Sequence, residues 1–428
     1  MSQNNQNSDL YSNGDFISVE SKSNFLNNNP YSTNNQNVKY NSNPCMNEEN
    51  KISNINYSEN NNSNNVGITN VEEKSSFLRK YSNKDPRTSL LNFGDTSYLN
   101  AVLQFIGHIP DLYTYFINPE KQKNINDNIN IMPLSFVTER LFIHLYPSEL
   151  KHKPEEYMAD SYLKVLKTLN FTYKRGKYER KNPNDLLIFI LETLHNEINN
   201  YNLKYKEKNN NNFENNSCDP LNLFMENFQN NLTIITQSLN WFQMEISTCR
   251  NCLQKINKFL SFSTFSLDIG NINKREITIE DCLDLYGKDK IQKLICSNCN
   301  NKFKEIVSKK YIFSFNNTII FMMDRGINFN EANELMTIHF KVEENINLKK
   351  FILNGDSPKE FKLKGILSIF KKENKYICFC HSIINDDWFI CCDETVKVMD
   401  FKKILKEHNE NKIYIPCILL YQSEYNNN

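Results

Sequence analysis

Two patterns along this chain predict an α+β fold. Apolar residues recur at helical spacing in its first half and gather into short strand-length runs in its second half. A third observation, two Cys-x-x-Cys pairs, predicts a long strand-like excursion held by a metal ion. The first helix is read from Leu99, Val102, Leu103 and Ile106, with Ser97 at its N-terminus and an end near Pro110. A second helix starts at Asn182-Pro183, a capping residue followed by a proline at the first helical position. Leu187, Ile190, Leu191, Leu194 and Ile198 line its buried face. Strands follow at Tyr311–Phe315, Thr318–Met323, Phe361–Phe370, Tyr376–His381, Trp388–Cys391 and Ile413–Tyr421.

Residues 1–85 are rich in Asn, Ser and Tyr, with few apolar residues and no periodicity. Such a segment buries too little surface to offset its ordering entropy, so a disordered tail is expected. The folded unit is expected over residues 86–425, interrupted by a low-complexity surface insertion over 201–219 that contains KEKNNNNFENNS. The 428 residues carry 50 basic and 50 acidic side chains. A net charge of zero gives no electrostatic case for a nucleic-acid or anionic-membrane partner. No apolar run reaches the length of a membrane span, and the first residues lack the basic-then-apolar pattern of a secretory signal. An intracellular protein, of cytoplasm or nucleus, is expected. Twelve cysteines in such a chain point to metal ligation or free thiols rather than a disulfide framework.

Cys249 and Cys252 form one pair, Cys296 and Cys299 the other. Two intervening residues let both thiolates of a pair reach one ion from a tight turn, and two such turns complete a tetrahedral four-sulfur site. Four protein ligands leave no open position, so a structural zinc is expected. Cys378, Cys380, Cys391 and Cys392 form another cluster on two strands of an expected hairpin. Neighbours on a strand point to opposite faces, so Cys391 and Cys392 do not easily share an ion, and buried free thiols are expected.

The run Leu91-Asn92-Phe93-Gly94-Asp95-Thr96-Ser97-Tyr98-Leu99-Asn100-Ala101-Val102-Leu103-Gln104 resembles the nucleophile box of ubiquitin-specific proteases, N-x-G-N-T-C-Y-M-N-x-x-L-Q. Other segments follow in that family's order. Residues 181–187 resemble its Q-D-A-x-E-F-L helix start, and 319–326 its L-I-I-x-L-x-R-[FG] strand. Residues 361–367 resemble its Y-x-L-x-G-V-x strand, and 418–422 its closing strand. The resemblance implies a papain-like cysteine-protease fold with fingers, palm and thumb. It places the thumb at 86–200, fingers carrying the four-Cys zinc knuckle at 240–310, and the palm at 311–425.

The same resemblance assigns the catalytic positions. Ser97 stands where the family has its nucleophilic cysteine, Lys375 where it has the general-base histidine, and Cys392 where it has the Asp or Asn that orients that histidine. Asn92 matches the side-chain donor of the oxyanion hole, and Asp393 a second acidic position outside the usual triad. His381 lies six residues beyond Lys375, about 20 Å along a strand and too far to serve Ser97. His108 and His195 sit on helices and are read as structural. With all three triad positions changed, the expectation is an inactive homologue that binds ubiquitin, a ubiquitinated protein or another partner. One alternative is a hydrolase using a Ser97/Lys375 pair, which requires a desolvated, neutral lysine. Another is a module that no longer binds ubiquitin. Glu373-Asn374-Lys375 replaces the family's Gly-Gly-His, and its side chains narrow the channel for a diglycine tail.

Overall fold

Proline punctuates the helical half of the chain. In the computed structural model, helix α1 (Ser97–Gly107) is followed by α2 (Pro110–Ile117), α3 (Pro119–Asp127) and α4 (Pro133–Leu145), each opened by a proline. This residue has no N–H to lose at a first turn, and its fixed φ suits the helix start. The helices α5 (Asp160–Thr168), α6 (Pro183–Tyr205), α7 (Pro220–Asn230) and α8 (Ile234–Leu239) complete this half. The structure describes residues 88–94, 96–146, 159–169, 171, 182–205, 220–299, 302–323, 325, 334–355 and 357–423. The expected tail and residues 206–219 of the expected insertion lie outside them. Residues 201–205, read from sequence as the start of that insertion, are the last turn of α6.

Both helices read from the sequence are present, but the intervening ones were not anticipated. Helix α1 stops at Gly107, and Pro110 begins a new helix rather than merely ending the old one. Leu187, Ile190, Leu191, Leu194 and Ile198 are all buried on α6. Among them, α1 is enclosed on all sides, with every residue from Tyr98 to Gly107 buried.

The second half supplies fourteen strands among the described residues, in three sheets. The first has the order β2 (Lys255–Phe262), β1 (Trp241–Cys249), β6 (Lys302–Phe315), β5 (Lys290–Cys296), and all its pairings are antiparallel. The large sheet has the order β13 (Thr395–Val398), β12 (Trp388–Cys392), β11 (Lys375–His381), β10 (Glu360–Phe370), β14 (Tyr414–Ser423), β7 (Thr318–Met323), β3 (Phe265–Leu267). Strand β9 (Asn345–Asn347) pairs with β10, while β4 (Glu276–Ile277) and β8 (His339–Phe340) form a small parallel pair. Strands β7, β10, β11, β12 and β14 match the sequence reading to within a residue or two. Strand β6 extends nine residues further back than Tyr311.

Two cores explain why these strands read as nearly continuous apolar runs. Cys378, Cys380, Cys391, Ile418, Leu420, Ile320 and Met322 face the helices of the first half. Their neighbours Ile377, Phe379, Leu419, Tyr421, Ile319 and Phe321 join a second core with α9 (Ile279–Tyr286) and α10 (Phe401–Asn409). Period-two alternation is hidden when both faces of a sheet are covered. Helix α1 lies along β11 and β10. A Cβ at Gly365 would stand 3.2 Å from Leu420 Cβ and 3.4 Å from Phe105 Cε2, so glycine permits this close approach. No helix among the described residues is long and apolar enough to cross a membrane.

Candidate active site and metal centre

The segment Thr88–Gly94 is tied to the turn between β12 and β13. Leu90 N donates to the Asp393 carbonyl at 3.0 Å, and Asn92 N donates to Glu394 Oε1 at 2.8 Å. Asp393 is buried and sits at φ +46°, where a short polar side chain is among the few non-glycine residues tolerated. Its carboxylate accepts from Asn92 Nδ2 at 2.8 Å and from Asn100 Nδ2 at 2.9 Å. Asn92 Oδ1 accepts in turn from Thr96 N at 3.1 Å and Thr96 Oγ1 at 3.2 Å. Gly94, at φ +91°, provides the bend that brings Thr96 back over Asn92. Burial raises the Asp393 carboxyl above the usual range, and the two amide hydrogen bonds oppose that shift.

Ser97 is the first residue of α1 and is half-buried. No side chain caps this helix, so its first N–H groups and the positive end of its dipole are directed toward the Ser97 neighbourhood. Ser97 makes no side-chain hydrogen bond among the described residues. Lys375 opens β11 and ion-pairs with Glu373 at 3.3 Å. That partner raises the ammonium pKa, and burial opposes the shift. Burial pushes the Cys392 thiol up to about 11. Cys392 and Cys391 face opposite cores, as the alternation requires. The structure therefore gathers Asn92, Lys375 and Cys392 around Asp393 and Glu394. Ser97 is joined to them through Asn100, one turn along α1. Asn100 and the central place of Asp393 were not anticipated, because the contacts span about three hundred residues of sequence and leave no local signal.

The four paired cysteines meet at the far tip of the four-stranded sheet. Cys249 ends β1 and Cys296 ends β5, and the turns after them carry Cys252 and Cys299. Pairing of β1 with β6 sets the two turns side by side. All four sulfurs lie within 4.8 Å of one another. Cys249 and Cys299 are 3.9 Å apart, and Cys252 and Cys296 are 3.6 Å apart. Four sulfurs about 2.3 Å from a zinc ion have tetrahedral edges of about 3.8 Å, so the cluster fits that ion and is far too open for a disulfide. Backbone N–H groups of the first turn lower the Cys249 and Cys252 thiols, Cys252 to about 6, and Asn251 Nδ2 donates to Cys299 Sγ at 3.3 Å. The first turn thus favours thiolates, whereas burial raises the Cys296 and Cys299 thiols of the second.

A profile described as "Ubiquitin carboxyl-terminal hydrolase" matches residues 88–421, more than half of the chain. This chain belongs to the ubiquitin carboxyl-terminal hydrolase family. Human Ubiquitin carboxyl-terminal hydrolase 2 is 22% identical over 328 residues, covering 74% of this chain and 53% of the relative. Its Bos taurus counterpart is 21% identical over 325 residues, covering 74% and 52%. The chain thus spans about half the length of the curated relatives it matches. Among solved structures, a chain of the SAGA Ubp8/Sgf11/Sus1/Sgf73 DUB module bound to ubiquitin aldehyde superposes with a TM-score of 0.58 at 18% identity, over 84% of this chain and 77% of that one. A SAGA DUB module bound to monoubiquitin gives 0.56 at 17% identity, over 80% and 70%. The fold is accordingly that of the ubiquitin-specific proteases.

Proposed function

We propose that this member of the ubiquitin carboxyl-terminal hydrolase family binds ubiquitin, or a ubiquitinated protein, without cleaving it, and that its fingers hold a structural zinc ion on Cys249, Cys252, Cys296 and Cys299. The observation that carries the proposal is the state of the groups around Asp393. Lys375 is held as an ammonium ion by Glu373 and has no lone pair with which to accept a proton. Cys392 is a neutral thiol at physiological pH. Ser97 has no base within hydrogen-bonding reach among the described residues. An Asn92 donor for an oxyanion does little without an attacking group to create that oxyanion. The fold supports the choice of partner, because solved relatives of this shape are complexes with ubiquitin or ubiquitin aldehyde. The expected thumb (86–200), fingers (240–310) and palm (311–425) are part of this reading.

A Ser97/Lys375 hydrolase is disfavoured by the direction of the lysine shift, since a general-base lysine needs its pKa lowered. Calorimetric titration of the full chain with ubiquitin, alongside a fluorogenic ubiquitin C-terminal substrate, tests the proposal. Binding near micromolar affinity with no turnover is the expected result. Turnover that Ser97→Ala abolishes would overturn the inactive reading. Absence of binding would overturn the ubiquitin assignment and direct attention to Glu373, Asn374 and Lys375 as obstructions of the tail channel.

A further inference from the structure

A net charge of zero conceals an uneven distribution. Residues 250–260 and 290–305, around the cysteine tip of the four-stranded sheet, carry seven basic side chains and one acidic one, so the rest of the chain is net acidic. The single acid, Glu305, already pairs with Arg250 at 3.0 Å. Lys255, Lys258, Lys290, Lys293 and Lys304 make no ion pair among the described residues.

The same region exposes side chains that a fold ordinarily hides. Leu253 and Phe303 are each 72% exposed, more than any other large apolar side chain among the described residues. Ile291, Leu294 and Ile295 are exposed as well. They lie on β5, the edge strand of its sheet, where every residue before Cys296 is exposed. Ile295 pairs with Phe303 across β5 and β6, so these two share a face with Ile291 and Lys293. Lys290 and Leu294 project from the other face. Cys252 and Cys296, 3.6 Å apart, bring the turn bearing Leu253 to the end of β5. Leu253 sits at φ +61°, a conformation that a bulky side chain rarely adopts. Strain held at an exposed leucine gains nothing from burial within the fold.

We propose that this edge docks on an anionic membrane surface, with Leu253, Ile291, Ile295 and Phe303 entering the headgroup boundary and the surrounding lysines meeting anionic lipid headgroups. Charge complementarity sets the sign of the partner, and two features favour a bilayer over an acidic protein. Apolar and basic side chains leave both faces of β5; a protein surface packs against one face, whereas a fluid headgroup layer wraps the whole edge. The unpaired cations are lysines, which are depleted from protein–protein interfaces, and their flexible stems let the ammonium reach headgroups while apolar neighbours insert. Shallow insertion keeps the edge N–H and C=O groups hydrated and needs no membrane-spanning helix. The inference is independent of whether the chain binds or cleaves ubiquitin.

Co-sedimentation of the full chain with extruded vesicles provides the test. Phosphatidylcholine vesicles containing about one-third phosphatidylserine should pellet the chain, and pure phosphatidylcholine vesicles should not. Added salt should weaken the pelleting, because exposed charges are screened. Lys290→Gln with Lys293→Gln should weaken it about 25-fold, roughly fivefold per charge. Phe303→Ser should weaken it about tenfold or more. Leu253→Gly removes an apolar contact while relieving the positive φ, so weaker pelleting with unchanged or raised thermal stability would separate docking from folding. Pelleting that ignores these variants would overturn the proposal. So would absence of pelleting with both vesicles, which would leave the edge to an acidic protein or, if Phe303→Ser dissociates a dimer seen by light scattering, to a second copy of the chain.

Discussion

The tip of the four-stranded sheet and the N-terminal end of α1 are both places where polar side chains from distant parts of the chain converge, and they are built in opposite ways. At the tip, four sulfurs surround a point, all within 4.8 Å of one another, a spacing that fits an ion among them. At α1, Asn92, Asn100, Asp393 and Glu394 bond directly to one another. On the proposed reading, the first arrangement takes an ion for its stability. The second satisfies its own groups, and it holds the nucleophile-box segment against the β12–β13 turn whether or not chemistry takes place there. Family membership is therefore compatible with a strong structural reason to retain Asn92, Asn100 and Asp393 apart from catalysis.

The sharpest way to break this contrast is to remove the metal. Chelation, or Cys252→Ser, should cost the tip on the order of 10 kcal/mol of metal-linked folding free energy and release about one equivalent of zinc. The expected readouts are metal content and loss of protection in hydrogen exchange over β1, β2, β5 and β6. Unchanged exchange would mean that the tip holds itself together without an ion.

Acid should separate the two regions next. The Cys252 thiol is lowered to about 6, so the thiolate form is the one the fold favours. Stability from such a group is present above its unfolded pKa and is lost as pH falls through the folded value. Metal retention should accordingly weaken as pH falls, because the ligands bind as thiolates. Asp393 has the opposite sign. Its carboxyl is raised by burial, so its contribution is favourable at low pH and is lost as pH rises through the folded value. Acidification should release zinc without loosening the clamp, and zinc release paired with site-resolved exchange would show the difference.

Asp393→Ala should come third, at about 3 kcal/mol, because it strands two amide donors, one of them fully buried. Urea unfolding measures the loss, and a change under 1 kcal/mol would show that the clamp is incidental. Ser97→Ala should be the smallest effect, within about 0.5 kcal/mol in stability, with no change in ubiquitin affinity. A large change in either would mean that Ser97 does more than line the site.

Much of this architecture is legible in the linear chain. The helical spacing after Ser97 and the run from Leu187 to Ile198 are local patterns, and local patterns survive folding. Strands β7, β10, β11, β12 and β14 announced themselves through short apolar runs. The prolines at 110, 119 and 133 were equally available as helix starts, yet they read only as breaks, since proline serves both purposes. The Cys-x-x-Cys spacing fixed each half of the tip site because a pair of thiolates in one turn is itself a local object.

What the tertiary structure alone decided is which distant groups meet. Nothing near Asn92 or Asn100 announces a buried carboxylate about three hundred residues away. Those meetings follow from α1 lying along β11, which Gly365 makes possible by removing a side chain from the contact. The sequence by itself determined the family, the helices and strands around the site, and the ligand pairs at the tip, since each rests on spacing within a segment. The state of Lys375 and the clamp on Asp393 depend on burial and on neighbours brought by other segments, and so only the folded chain could set them.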